Sequence, residues 1–120
     1  MSFHRARWLK ATNMIDATIK ITVPPNKREE FIQTFKAILV PIRREQGCLR
    51  CNCYMDIEAE NSFCFMEVWQ TREDLDAHLS SVDYGVLAGA MSLLDQAPEI
   101  RFDTIASTEG AEAVAASRKR

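Results

Sequence analysis

"FCFMEVWQTREDLDAHL", residues 63–79, changes its hydrophobic period partway along, and that change decides the fold. As far as Trp69 the side chains alternate, with Phe63, Phe65, Glu67 and Trp69 on one side and Cys64, Met66 and Val68 on the other. A period of two is that of a strand. After it, Leu75, His78, Leu79 and Val82 recur at i, i+3, i+4 and i+7, the stripe of an amphipathic helix. Thr71 followed by Asp74 resembles a capping box and opens that helix, which runs to about Ser80. Glu67 thus stands among three aromatic residues, where a carboxylate is costly to bury without a partner. His78 falls on the apolar side of the helix, facing the sheet. The expectation is a hydrogen bond between Glu67 and His78, direct or through one water, in a cavity between sheet and helices. Such a pairing would fix one imidazole tautomer and raise its basicity, making His78 a candidate general base. A purely structural tie between helix and sheet is the other reading.

Upstream, residues 14–23 alternate through Ile15, Ala17, Ile19, Ile21 and Val23, a half-buried strand stopped by Pro24-Pro25-Asn26. Phe31, Phe35, Ile38, Leu39 and Ile42 then mark an amphipathic helix from Lys27 to about Glu45. Pro41 should kink its last turn, and Gly47 suits a left-handed cap. The Arg43-Arg44-Glu45 end is assigned to the helix dipole. Cys48–Asp56 reads as a second strand, 58–61 ("EAEN") as a hairpin turn, and Ser62–Gln70 as the third strand. Downstream, Tyr84, Leu87, Met91 and Leu94 indicate another helix despite Gly85 and Gly89, and residues 98–106 a fourth strand. The order βαββαβ predicts an α+β, ferredoxin-like fold with a four-stranded antiparallel sheet and helices on one face. The domain is expected over 14–106, with an N-terminal extension (1–13, holding His4) and a flexible C-terminal tail (107–120).

The run "GCLRCNCYMD", residues 47–56, holds three of the four cysteines. On a regular strand, residues three apart lie about 10 Å apart on opposite faces. Zinc thiolates need a separation nearer ~3.8 Å, which excludes a shared metal for Cys48 and Cys51 if the strand is regular. A redox CxxC is expected at a helix N-terminus instead. The cysteines are read as small buried hydrophobes and no metal site is expected. Asn52 and Tyr54 share a face with Cys48 and Arg50 in this reading, and line either the same cavity or the opposite sheet face.

With 15 basic against 17 acidic residues and no dense basic stripe, neither a nucleic-acid nor a membrane partner is indicated. The basic N-terminus lacks the apolar core of a secretory signal, and a cytoplasmic location is expected. No nucleotide, haem or phosphate-loop motif occurs.

These residues together resemble the antibiotic biosynthesis monooxygenase domain of the dimeric α/β-barrel superfamily. "VPPNKREEF", "REQGCL", "EVW", "AHL" and "PEIRF" carry the likeness, over about residues 14–106. The resemblance implies a homodimer whose two sheets close into a barrel. A sheet with helices on one face leaves the other to be covered, which independently suits a second copy. The resemblance also implies oxygenation of a quinol or related aromatic without a cofactor. His78 and Glu67 would take the proton, Phe65 and Trp69 would stack on the substrate, and Asn52 or Tyr54 would donate hydrogen bonds. Phe65 stands where polyketide-oxidising members carry Asn, and Leu75 where they carry polar groups, so the pattern is closer to the quinol monooxygenase branch. An isomerase of a small phosphorylated signal molecule and a non-catalytic dimeric ligand-binding or stress protein are the alternatives.

Overall fold

The structure, a computed structural model, describes residues 13–119. His4 and most of the N-terminal extension lie outside the described residues. Strand β1 (Ile15–Thr22) leads through a short 3-10 turn (Pro25–Lys27) into helix α1 (Arg28–Arg43). The hairpin β2 (Cys48–Asp56) and β3 (Ala59–Trp69) follows, then helices α2 (Arg72–Leu79) and α3 (Val82–Met91) and strand β4 (Glu99–Thr104). All pairings are antiparallel, in the order β2-β3-β1-β4. This is the ferredoxin-like α+β arrangement that the alternating patterns imply.

The core lies between one sheet face and the helices. Ile15, Ala17, Ile19 and Ile21 of β1 and Phe63 and Phe65 of β3 meet Phe31, Phe35, Ile38 and Ile42 of α1. The helix residues recur every three or four positions, so one stripe of α1 covers the sheet while its charged side stays outside. Glu29 and Glu30 in its first turn and Arg43 in its last complement the helix dipole. Pro41 is accommodated inside the last turn, and the helix continues to Arg43.

Several boundaries differ from expectation, each for a local reason. The β2–β3 hairpin turns on Ile57 and Glu58 alone, since Asp56 already pairs with Ala59. The strand therefore begins three residues earlier than Ser62. Val82 is not part of the His78 stripe: the Ser81 side chain accepts the Tyr84 N–H and starts a new helix, leaving Val82 exposed. Gly85 and Gly89 sit where no other group approaches, so α3 tolerates them. In the tail, Ala111–Ser117 forms a helix (α4) that buries no residue.

The largest correction concerns β2. Cys48 pairs with Trp69 and Arg50 with Val68, so Leu49 is an extra residue in a bulge. The bulge resets the alternation. Cys48, Cys51 and Cys53 all register with β3 residues of the helix-covered face, and Arg50, Asn52 and Tyr54 with those of the other. Cys48 and Cys51 are therefore not on opposite faces, and Asn52 and Tyr54 do not share a face with Cys48.

Candidate functional site

Strand alternation delivers Glu67 and Trp69 to the inner face of β3, and the helical stripe delivers His78 to the inner face of α2. Thr71 accepts the Asp74 N–H at 3.1 Å, which fixes where α2 starts and hence which way His78 points. At the other end of α2, the His78 carbonyl accepts from the Ser81 hydroxyl at 2.6 Å and from the Ser81 N–H at 2.9 Å. Glu67 and His78 are each 1% exposed, the two polar or charged residues buried outright among those described.

The rings of Trp69 and His78 stack, with centroids 4.5 Å apart and planes 24° from parallel. Tyr84, from α3, meets the imidazole edge-on at 5.5 Å. The Trp69 indole N–H donates to Glu67 Oε1 at 2.9 Å, and Cys51 Sγ lies 3.9 Å from Glu67 Oε2. His78 Nε2 stands 3.6 Å from Glu67 Oε1, beyond a direct hydrogen bond. Acid and imidazole are thus brought together as the alternation and stripe require, but of the two expected links, direct or through one water, the direct one is not made. The indole holds that oxygen instead.

The direct partner of His78 is Glu45, whose Oε1 lies 2.9 Å from Nδ1. Sequence reasoning missed it by assigning the helix end to the dipole. A carboxylate just past a helix C-terminus opposes the dipole, and that mismatch was the available signal. The loop geometry explains its arrival. The Glu45 N–H donates to Ile42 and its carbonyl accepts from Cys48, while Gly47, at φ 79°, accepts the Gln70 N–H at 2.8 Å. These bonds fasten the α1–β2 loop to the exit of β3, next to His78. A side chain at Gly47 would collide with Asp74 of α2, so glycine is needed there for space as well as for φ.

Electrostatically the site is crowded with acids. Burial lowers the His78 pKa below the ordinary histidine value, against the opposing pull of Glu67 and Asp83. The expected rise in basicity is therefore reversed, because desolvating the imidazolium outweighs the nearby carboxylates. Burial raises Glu67, only partly offset by its bond from Trp69 and by His78. Burial, and then the neighbouring Asp83, push Glu45 up to about 7. Among the described residues two buried side-chain atoms lack a hydrogen-bond partner, His78 Nε2 and Glu45 Oε2.

Phe65 does not join this cluster as a stacking surface. It is fully buried and meets the Phe35 ring edge-on at 5.0 Å. Asn52 and Tyr54 point to the opposite sheet face, so the bulge removes them from the site. Asn52 takes a bond from Arg43 at 3.2 Å and lines a surface depression of about 260 Å³ with Arg43 and Arg50. The cysteines are free thiols; burial pushes Cys53 up to about 11 and Cys51 higher still, the opposite of an activated thiolate. Among the described residues no three His, Cys, Asp or Glu side chains converge on a metal-binding geometry. No helix among them is long and apolar enough to cross a membrane.

A small α+β domain with a buried acid–imidazole–indole cluster is the class that fold and site define together. Residues 14–88 match the antibiotic biosynthesis monooxygenase family, and the chain belongs to it. An uncharacterised protein of Synechocystis sp. is 37% identical over 90 residues, 74% of this chain. The match spans 61% of the length of that relative. A Bacillus subtilis protein named "Putative monooxygenase YcnE" is 28% identical over 82 residues, covering 68% of this chain and 86% of its own. The crystal structure of a conserved protein from Methanosarcina mazei superposes with a TM-score of 0.72 at 23% identity, over 81% of this chain and 97% of that one. That likeness is one of fold.

Proposed function

We propose that this chain is a cofactor-independent monooxygenase that oxidises a quinol or related aromatic with O2. The observation that carries the reading is the bare Nε2 of His78, buried and stacked against Trp69, with a carboxylate 3.6 Å away. A phenolic hydroxyl gives its proton to Nε2, and the resulting anion passes an electron to O2. The radical pair joins at a ring carbon as a peroxide, which the imidazolium protonates to the hydroperoxide. That carbon then loses its hydrogen as a proton while the O–O bond breaks, so one oxygen stays on the ring as a carbonyl and the other leaves as water. A histidine that is neutral near pH 7 is a competent acceptor at the start, and exclusion of water preserves the anion. Glu67, kept protonated to higher pH than a free carboxyl, supports the return of that proton.

The imidazole is enclosed, and Tyr84 lies on its edge, so entry of a substrate requires that side chain to move. The same enclosure favours the second reading, a non-catalytic ligand-binding protein in which the cluster is a structural tie. A phosphorylated substrate is less suited. Glu45, Glu67 and Asp83 surround the imidazole, and among the described residues no Lys or Arg bonds to that cluster. Oxygen uptake with a panel of hydroquinones, in the wild type and in His78→Ala, tests the assignment. Uptake is expected to fall by about 100-fold or more in the variant. Uptake indifferent to the substitution removes His78 as the base.

The outer sheet face, with Met66 and Tyr54 exposed at 40% and 49%, is proposed to pack against a second copy. Light scattering on the purified chain should give twice its 13.7 kDa mass; a monomer at micromolar concentration removes the barrel.

A further inference from the structure

The three polar groups nearest the imidazole do not have equivalent roles. Glu67 is committed to the indole N–H and lies too far from the ring for a direct bond. Asp83 acts on the ring by charge alone. Only Glu45 makes contact, at Nδ1, and it comes from the α1–β2 loop, bonded to the exit of β3 through Gly47 and Gln70, rather than from either facing element.

We infer that Glu45 is the positioning residue of this site: its carboxylate accepts a hydrogen bond from the Nδ1–H of His78 and so holds the ring in the tautomer whose Nε2 is bare. An unconstrained neutral imidazole prefers its proton on Nε2, the form that would have no lone pair to offer there. The 2.9 Å bond to a carboxylate reverses that preference, since Nε2 has no hydrogen-bond partner that would favour a proton there. This inference rests on the oxygenase reading for its catalytic meaning, though not for its geometry.

A pH dependence follows from counting protons on the Glu45–His78 pair. One shared proton leaves Glu45 ionised, Nδ1 protonated and Nε2 free. A second proton, on either partner, occupies Nε2 or loses the acceptor that holds the tautomer. The groups facing the pair are Glu67 and Trp69 from β3, Asp83 and Tyr84 from α3, and Cys48 and Cys51 from β2. Among the described carboxyl groups it is Glu45 that stands at bonding distance from Nδ1. Glu45 carries its proton up to about pH 7, so the competent state fills as pH rises through that value.

The test is long-range proton–nitrogen NMR of the 15N-labelled full chain from pH 5 to 9, with His4→Gln to assign the two histidines. The expected result above pH 7 is a His78 ring protonated on Nδ1. Glu45→Ala is expected to move the proton to Nε2, while Glu67→Gln leaves it on Nδ1. Glu45→Gln, equal in size and uncharged, keeps the fold and erases the change in ring signals near pH 7. A wild-type ring protonated on Nε2 overturns the inference, as does a tautomer that follows Glu67 instead of Glu45. In oxygen uptake, Glu45→Ala is expected to lower kcat by about tenfold or more with KM nearly unchanged, and to abolish the rise through pH 7. If the wild type consumes no oxygen while the ring sits in the Nδ1–H form, the oxygenase reading fails and the positioning role stands.

Discussion

The two ends of the inner face of β3 are buried alike and filled in opposite ways. Phe63 and Phe65 meet Phe35 edge-on at 5.5 and 5.0 Å, with Phe31 beyond it and the Arg28 guanidinium 5.7 Å over the Phe63 ring at the rim. Two residues further along, Glu67 and Trp69 enter a polar network with His78 and Glu45 at the same depth. The aromatic end gains from area removed from water and from edge-to-face packing, which favour folding at any pH. The acid–imidazole end gains hydrogen bonds but must desolvate ionisable groups, so its contribution depends on how many protons it holds. One strand thus carries pH-independent packing at one end and buried titratable groups at the other.

Phe65→Ala sets the scale of the apolar end. The cavity left under Phe35 is expected to reduce stability by about 3–5 kcal/mol, read from urea denaturation. A loss below about 1 kcal/mol would mean that the two ends do not differ in the way described. At the other end, Glu67→Gln keeps the acceptor for the Trp69 indole and is expected to change stability by less than about 1 kcal/mol near pH 5. Its signature is the slope with pH. The folded-state pKa of Glu67 lies above the ordinary carboxyl value of 4.5, so the folded chain holds that proton more tightly than the unfolded one. The contribution of the protonated acid is complete below pH 4.5 and declines as pH rises beyond it. The wild type should therefore lose stability relative to Glu67→Gln between pH 5 and 8. Parallel curves for the two proteins would remove the idea that this carboxyl is strained by burial.

The sequence made the fold legible where one face of an element is apolar. Ile15 to Ile21 and Phe31 to Ile42 announce their periods directly, and Thr71 announces the start of α2. The acid and imidazole were legible for the same reason, since parity and stripe each fix a direction without needing the rest of the molecule. Glu45 was not, because it sits in a loop whose course depends on backbone bonds to Gln70 and Cys48 that no periodicity encodes. Asn52 and Tyr54 were left open between the cavity and the opposite sheet face, and wrongly grouped with Cys48, because Leu49 interrupts the alternation and an unpaired residue leaves no mark in a hydrophobic pattern. His78 was placed correctly and its basicity was not. Proximity to an acid was visible in the spacing, but the penalty of enclosure depends on every element packed around it.

The single surplus residue at position 49 also acts as slack that sets the phase of the chain before it. Removing Leu49 would leave Cys48 opposite Trp69 and Arg50 opposite Val68 and only straighten the ladder. Ironing the bulge out with Leu49 kept would instead seat Leu49 opposite Trp69 and shift Cys48 and the loop before it by one step. The carboxylate at position 45 would then be carried off the ring it now holds, with no acid or base replaced.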